Sequence, residues 1–104
     1  MKQITLYTIQ EWRKTHKNDL NEPIMKKNHD LKCEAEYYDK VASGEKTFEI
    51  RFNDRNFKVG DTITLHRSMS GVYAGQSLIV EITYILKDAE KYGLKEGFVI
   101  LSIK

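Results

Sequence analysis

The sequence predicts an α+β domain in which four or five short strands curl into a small mixed β-barrel, accompanied by one or two short helices. Three observations carry this. Short β-type segments, alternating or continuously apolar, recur from residue 29 to the end. One clear helical segment precedes the second of them, and turns rich in Gly, Asn, Asp and Ser separate the rest. At 104 residues the chain is one domain long.

Residues 1–28 read as a helical arm and linker. Thr8-Ile9-Gln10-Glu11 has the form of a capping box, and Ile9 and Trp12 then share one face of a short helix ending near His16 or Lys17. The stretch 18–28 is polar and holds the only proline, Pro23. The plain role for this arm is to pack on the body through Leu6 and Trp12. The body, 29–104, opens with a strand at 29–33. A helix over 34–43 stacks Tyr37 and Val41 on one side, and Gly44 is placed to end it in a left-handed conformation. Thr47-Phe48-Glu49-Ile50-Arg51-Phe52 alternates strictly, the mark of a half-buried strand. Asn53 to Asn56 supply turn chemistry, and Val59-Gly60-Asp61 leads into a third strand at 62–66. Residues 68–75 read as a Ser/Gly-rich loop, 78–86 and 98–103 as strands, the last nearly continuous in apolarity and therefore interior. The charged 87–97 between them reads as a loop or one helical turn.

Composition narrows the class. Six glycines, one proline and one cysteine, Cys33, exclude collagen-like and disulfide-scaffold proteins. The lone thiol suits a reducing, cytoplasmic setting. No apolar run approaches the ~20 residues of a membrane span, so no membrane partner is expected. The net charge of +2 lies wholly in residues 1–30, which hold six bases against four acids, while the remainder holds eleven of each. A neutral body argues against a broad electrostatic grip on long nucleic acid and for a local contact.

The segment able to carry chemistry is Gly44-Glu45-Lys46-Thr47-Phe48-Glu49-Ile50-Arg51. In a strand, Thr47, Glu49 and Arg51 share one face, spaced about 7 Å apart, while Phe48, Ile50 and Phe52 take the other. Lys46 has the wrong parity and joins that face only from a turn, which Gly44 makes available. The result is an ammonium and a guanidinium fork as anion binders with a carboxylate acceptor between them. The plain alternative is a solvated strand face with cross-strand ion pairs.

These eight residues resemble the G-x-K-x-x-E-x-R signature of ASCH domains, a family related to PUA domains, and Val59-Gly60-Asp61 resembles the v-G-D step that follows it there. His29-x-Leu31-Lys32, Thr47-Phe48-Glu49-Ile50-Arg51-x-Asn53-Asp54-Arg55 and Gly60-Asp61 are similar to a bacterial and phage subgroup of ASCH-like domains. The resemblance covers roughly 29–104. It implies a PUA/ASCH-like barrel with a cleft where Lys46, Glu49 and Arg51 lie, and RNA or a nucleotide-like small molecule as the ligand. One branch of the family hydrolyses acetylcytidine. There the signature lysine matches Lys46, while the nucleophilic threonine falls at Glu49, a departure that speaks against that hydrolysis. The branch's catalytic glutamate falls within 87–97, where Asp88, Glu90 and Glu96 stand. Elementary chemistry agrees. A lysine beside a carboxylate keeps its proton, and a carboxylate held by two cations is a poor base.

Other signals rank lower. His29 and Cys33 share a strand face but lack further ligands at metal spacing. Ser70-Gly71-Val72-Tyr73-Ala74-Gly75 lacks the ending of a phosphate loop, though Tyr73 is placed to stack a base. The first expectation is therefore RNA or nucleotide-like ligand binding by Lys46, Glu49 and Arg51, with Arg55, His29 and Tyr73 contributing, and with no cofactor. An amidohydrolase acting on a modified nucleoside is the second, with Lys46 and Glu49 as its working residues. A protein-interaction module using the arm is the third. The oligomeric state stays open.

Overall fold

A computed structural model describes residues 26–104. Most of the expected arm, with its capping box, Leu6 and Trp12, lies outside the described residues. At the end of that stretch, the Lys27 N–H donates to Asp61 Oδ1 at 3.1 Å.

Strand β1 spans Asn28–Glu34 and alternates cleanly, burying His29, Leu31 and Cys33. Helix α1, Ala35–Ala42, follows without a loop. It buries Tyr38 and packs Val41 against the core, whereas Tyr37 is 47% exposed. The expected pairing of Tyr37 with Val41 is thus corrected by one position; residues 38 and 41 are the pair three apart that faces inward. The helix stops where Gly44 adopts φ +81° and its N–H donates to the Val41 carbonyl. Strands β2 (Phe48–Phe52), β3 (Thr62–Met69), β4 (Val72–Leu86) and β5 (Phe98–Ile103) complete the sheet, with a 3-10 turn at Glu90–Tyr92.

The expected loop at 68–75 is replaced by a tight hairpin. Met69 pairs with Val72, and the two turn residues, Ser70 and Gly71, have φ +51° and +80°. Positive φ at both central positions matches the right-handed twist of the flanking strands, so a two-residue connection suffices. β4 therefore begins six residues earlier than expected.

The sheet is mixed and five-stranded, in the order β1-β3-β4-β5-β2. β1 and β3 are parallel, and α1 with β2 lies between them in the chain, as a parallel crossover requires. The long β4 serves both halves, pairing β3 with its first part and β5 with its last, across an irregularity between Ile82 and Tyr84. β5 is interior, as its apolarity predicts. The two ends of the order, β1 and β2, share no ladder, so the sheet is not closed into a barrel. Phe57, Ile63, Leu65, Ile82 and Leu101 are the fully buried side chains of the core, each contributing ~1.5–3 kcal/mol by burial. No helix among the described residues is long and apolar enough to cross a membrane.

Candidate functional site

The gap between β1 and β2 holds a cleft of about 590 Å³, lined from β1 by Lys32 to Glu34, from α1 by Tyr37, from β2 and its approach by Lys46 and Phe48 to Arg51, and from the β3–β4 hairpin by Ser68 and Gly71. The strand parity read from the sequence places Glu49 and Arg51 on one face, and that face turns inward. Glu49 is only 4% exposed, while Phe48, Ile50 and Phe52 are 43–53% exposed. The solvated-face alternative is overturned, for a reason found in the neighbouring strand. Glu49 lies opposite Leu101 and Arg51 opposite Val99, and those two residues form the core face of β5.

A buried carboxylate needs partners, and Glu49 has them on both oxygens. Lys46 Nζ donates to Oε1 at 2.7 Å. Arg51 donates to Oε2 from Nε at 3.0 Å and approaches it with Nη2 at 2.9 Å. Lys46 sits in the turn before the strand, as its parity requires; its backbone N–H donates to the Lys40 carbonyl at 2.9 Å. Its ammonium also donates to the Phe48 carbonyl and lies 4.7 Å from the Phe48 ring centroid and 5.8 Å from that of Tyr37. Arg51 Nη2 reaches across the gap to the Lys32 carbonyl at 2.8 Å, so this one side chain links the two edge strands. The three charges sum to +1. Two exposed rings flank the cation at the mouth, a combination suited to a planar ring carrying an anionic group.

The floor differs from the mouth. Cys33 and Ser68 line the cleft at 3% and 4% exposure. Burial pushes the Cys33 thiol up, and the Glu49 carboxylate pushes the same way against the pull of Arg51 and Lys46. The thiol is therefore an unreactive neutral wall at ordinary pH.

Three expected contributors lie elsewhere. His29 is buried at the far end of β1, its Nε2 2.8 Å from Asp61 Oδ2 and its ring edge-on to Phe57. Asp61 also accepts from the N–H groups of Lys27 and Lys58, so the Gly60-Asp61 step is a structural hub. Arg55 is an exposed loop residue beside Asp54. Tyr73 stands on the hairpin with its hydroxyl 3.2 Å from Ser77 Oγ, in a polar row where His66 bridges Ser77 and Asp30. None of the three lines the cleft. Conversely, Tyr37 and Ser68 line it without a motif to mark them, and Lys32 and Phe48 line it although the sequence motifs that contain them did not single them out as site residues. Only the fold, by setting the two edge strands and the hairpin around one gap, gathers them.

A curated relative from Escherichia phage P2, an "Uncharacterized 12.9 kDa protein in GpA 3'region", is 42% identical over 60 residues. That match takes in 58% of this chain and 55% of the relative, so the chain spans about half the length of the protein it resembles. Residues 28–103, the whole of the sheet and its helix, match the family described as a domain of unknown function (DUF3850), and the chain belongs to that family.

Proposed function

We propose that the protein binds RNA or a nucleotide-like ligand in the cleft of Lys46, Glu49 and Arg51, as an ASCH-like domain. On this reading the sheet is a PUA-type barrel left open between β1 and β2, with the opening as the mouth of the site. The observation that carries it is the convergence of the motif's lysine, glutamate and arginine on one cleft rimmed by the exposed rings of Tyr37 and Phe48. The cations take a phosphate or a carbonyl edge, and the rings take a base by stacking. A cytoplasmic setting goes with this reading, since the single cysteine is free and buried.

Binding is favoured over hydrolysis by the state of the carboxylate. Both Glu49 oxygens are engaged by cations, and Thr47, the motif's hydroxyl, is not among the cleft residues. The test is a titration of short single-stranded RNA and DNA with wild type, Lys46→Ala and Arg51→Ala, with an acetylcytidine hydrolysis assay alongside. Each substitution is expected to weaken binding about tenfold, with a salt slope of roughly one to three phosphates and no hydrolysis. Affinity unchanged in both variants removes the cleft from the function. Turnover that requires Lys46 replaces binding with the amidohydrolase reading.

A further inference from the structure

Exposure inside the cleft is graded. The side chains of Lys46 and Arg51 are 17% and 25% exposed, and the rings of Tyr37 and Phe48 stand about half out of the surface. Cys33, Glu49 and Ser68 are all at 3–4%. Of these three, Glu49 is saturated by two cations and Cys33 is a weak hydrogen-bonding group. The Ser68 hydroxyl is different. It is buried, it belongs to the cleft lining, and no side-chain hydrogen bond to it exists among the described residues. Buried hydroxyls in folded proteins are nearly always paired, and an unpaired one costs about 1–3 kcal/mol. It sits at the β3–β4 irregularity, where the register shifts between His66 and Ser68. Such irregularities re-aim a side chain out of the regular ladder.

Resting on the binding reading above, we infer that Ser68 is a specificity-determining contact: its hydroxyl hydrogen-bonds an uncharged polar edge of the ligand at the cleft floor. Lys46 and Arg51 hold the anionic part at the mouth. The ordering follows from electrostatics. An anion carried to the floor meets the Glu49 carboxylate and loses its hydration, while a cation finds that carboxylate already taken. A neutral group with a hydrogen-bonding edge, such as the heterocycle of a nucleoside, pays neither penalty and gives Ser68 its missing partner.

The test compares Ser68→Ala with wild type in the full chain. Short single-stranded RNA, free nucleosides and inorganic phosphate are the probes. The expected result is an affinity for RNA and nucleoside lower by about tenfold, with an unchanged salt slope and unchanged competition by phosphate. Lys46→Ala instead flattens the salt slope by about one. The urea midpoint of Ser68→Ala stays the same or rises, because the variant deletes an unpaired buried hydroxyl. Three results overturn the inference. Ser68→Ala that binds as wild type, while Lys46→Ala and Arg51→Ala lose affinity, sinks it and leaves the cleft reading standing. A lower urea midpoint shows that the hydroxyl has a structural partner. Wild-type protein that binds neither RNA nor nucleoside takes down the cleft reading and this inference together.

Discussion

Glu49 is the residue on which the cleft's shape depends. Its carboxylate fixes Lys46 from one side and Arg51 from the other, and Arg51 in turn ties β2 to the Lys32 carbonyl of β1. Removing it leaves two partly buried cations without an anion, and breaking a buried pair in this way costs about 3–5 kcal/mol. The lower end applies here, since both cations keep some solvent. Glu49→Ala is therefore expected to lose roughly 3 kcal/mol of stability by urea denaturation, and Glu49→Gln less, because the amide still accepts one hydrogen bond. A midpoint unchanged in Glu49→Ala contradicts this account of the site. At this scale the sequence was readable in one respect and silent in another. Alternation placed Glu49 with Arg51 and set Lys46 in the preceding turn. It gave parity without sign, because an alternating segment has two faces and does not say which one a neighbouring strand will cover. His29 shows the same limit along the strand. It is buried on the same face as Cys33, but it lies at the Asp61 end, away from the cleft.

Among the elements, α1 is held to the sheet by more than Tyr38. Arg67 of β3 donates to both carboxylate oxygens of Asp39, from Nε at 2.9 Å and Nη2 at 3.2 Å. The hydrogen bonds from Arg67 hold the Asp39 carboxyl below its ordinary value of 3.8, and the same pairing raises Arg67. A carboxylate lowered by folding contributes stability above its unfolded value, and that contribution is lost as pH falls through the folded value. Wild type is therefore expected to exceed Asp39→Asn in urea midpoint at about pH 7, with the gap closing in acid as pH falls below the ordinary carboxylate value of 3.8. A gap of equal size at neutral and acid pH contradicts the tether. The site is solvent-exposed, so the gap is small. Element positions were largely legible: the strand expected at 98–103 and the helix over 34–43 stand within a residue or so of their observed ends. The hairpin was not. Ser70 and Gly71 carry no Asn-Gly or Asp-Gly signal, and the Gly and Ser around them looked like loop composition spread over eight positions. Ser70 tolerates φ +51° only in the context of the paired strands on either side.

At the scale of the molecule, the proposed binding reading rests on where the sheet fails to close. Five strands in the order β1-β3-β4-β5-β2 put the two edges on either side of a gap, and α1 and the hairpin supply its remaining walls. Mixed strands and a single helix were predictable from pattern, whereas closure was not. Closure depends on how the sheet turns along β4 from β3 to β5, and the β3–β4 and β4–β5 ladders carry irregularities at His66/Ser68 and Ile82/Tyr84, places where strands bend, that no local pattern announces. On the proposed binding reading the neutral body is consistent too, since a cleft with a net charge of +1 needs no wide basic surface to guide a small ligand. The most direct test is to follow the backbone amide resonances of the isotope-labelled full chain by NMR while a short single-stranded oligoribonucleotide is added. Saturable shifts confined to Lys32–Tyr37, Lys46–Arg51 and Ser68–Gly71, on both sides of the open seam, are expected. Shifts centred instead on the outer row of Asp30, His66, Tyr73 and Ser77, or none at millimolar ligand, contradict the cleft reading.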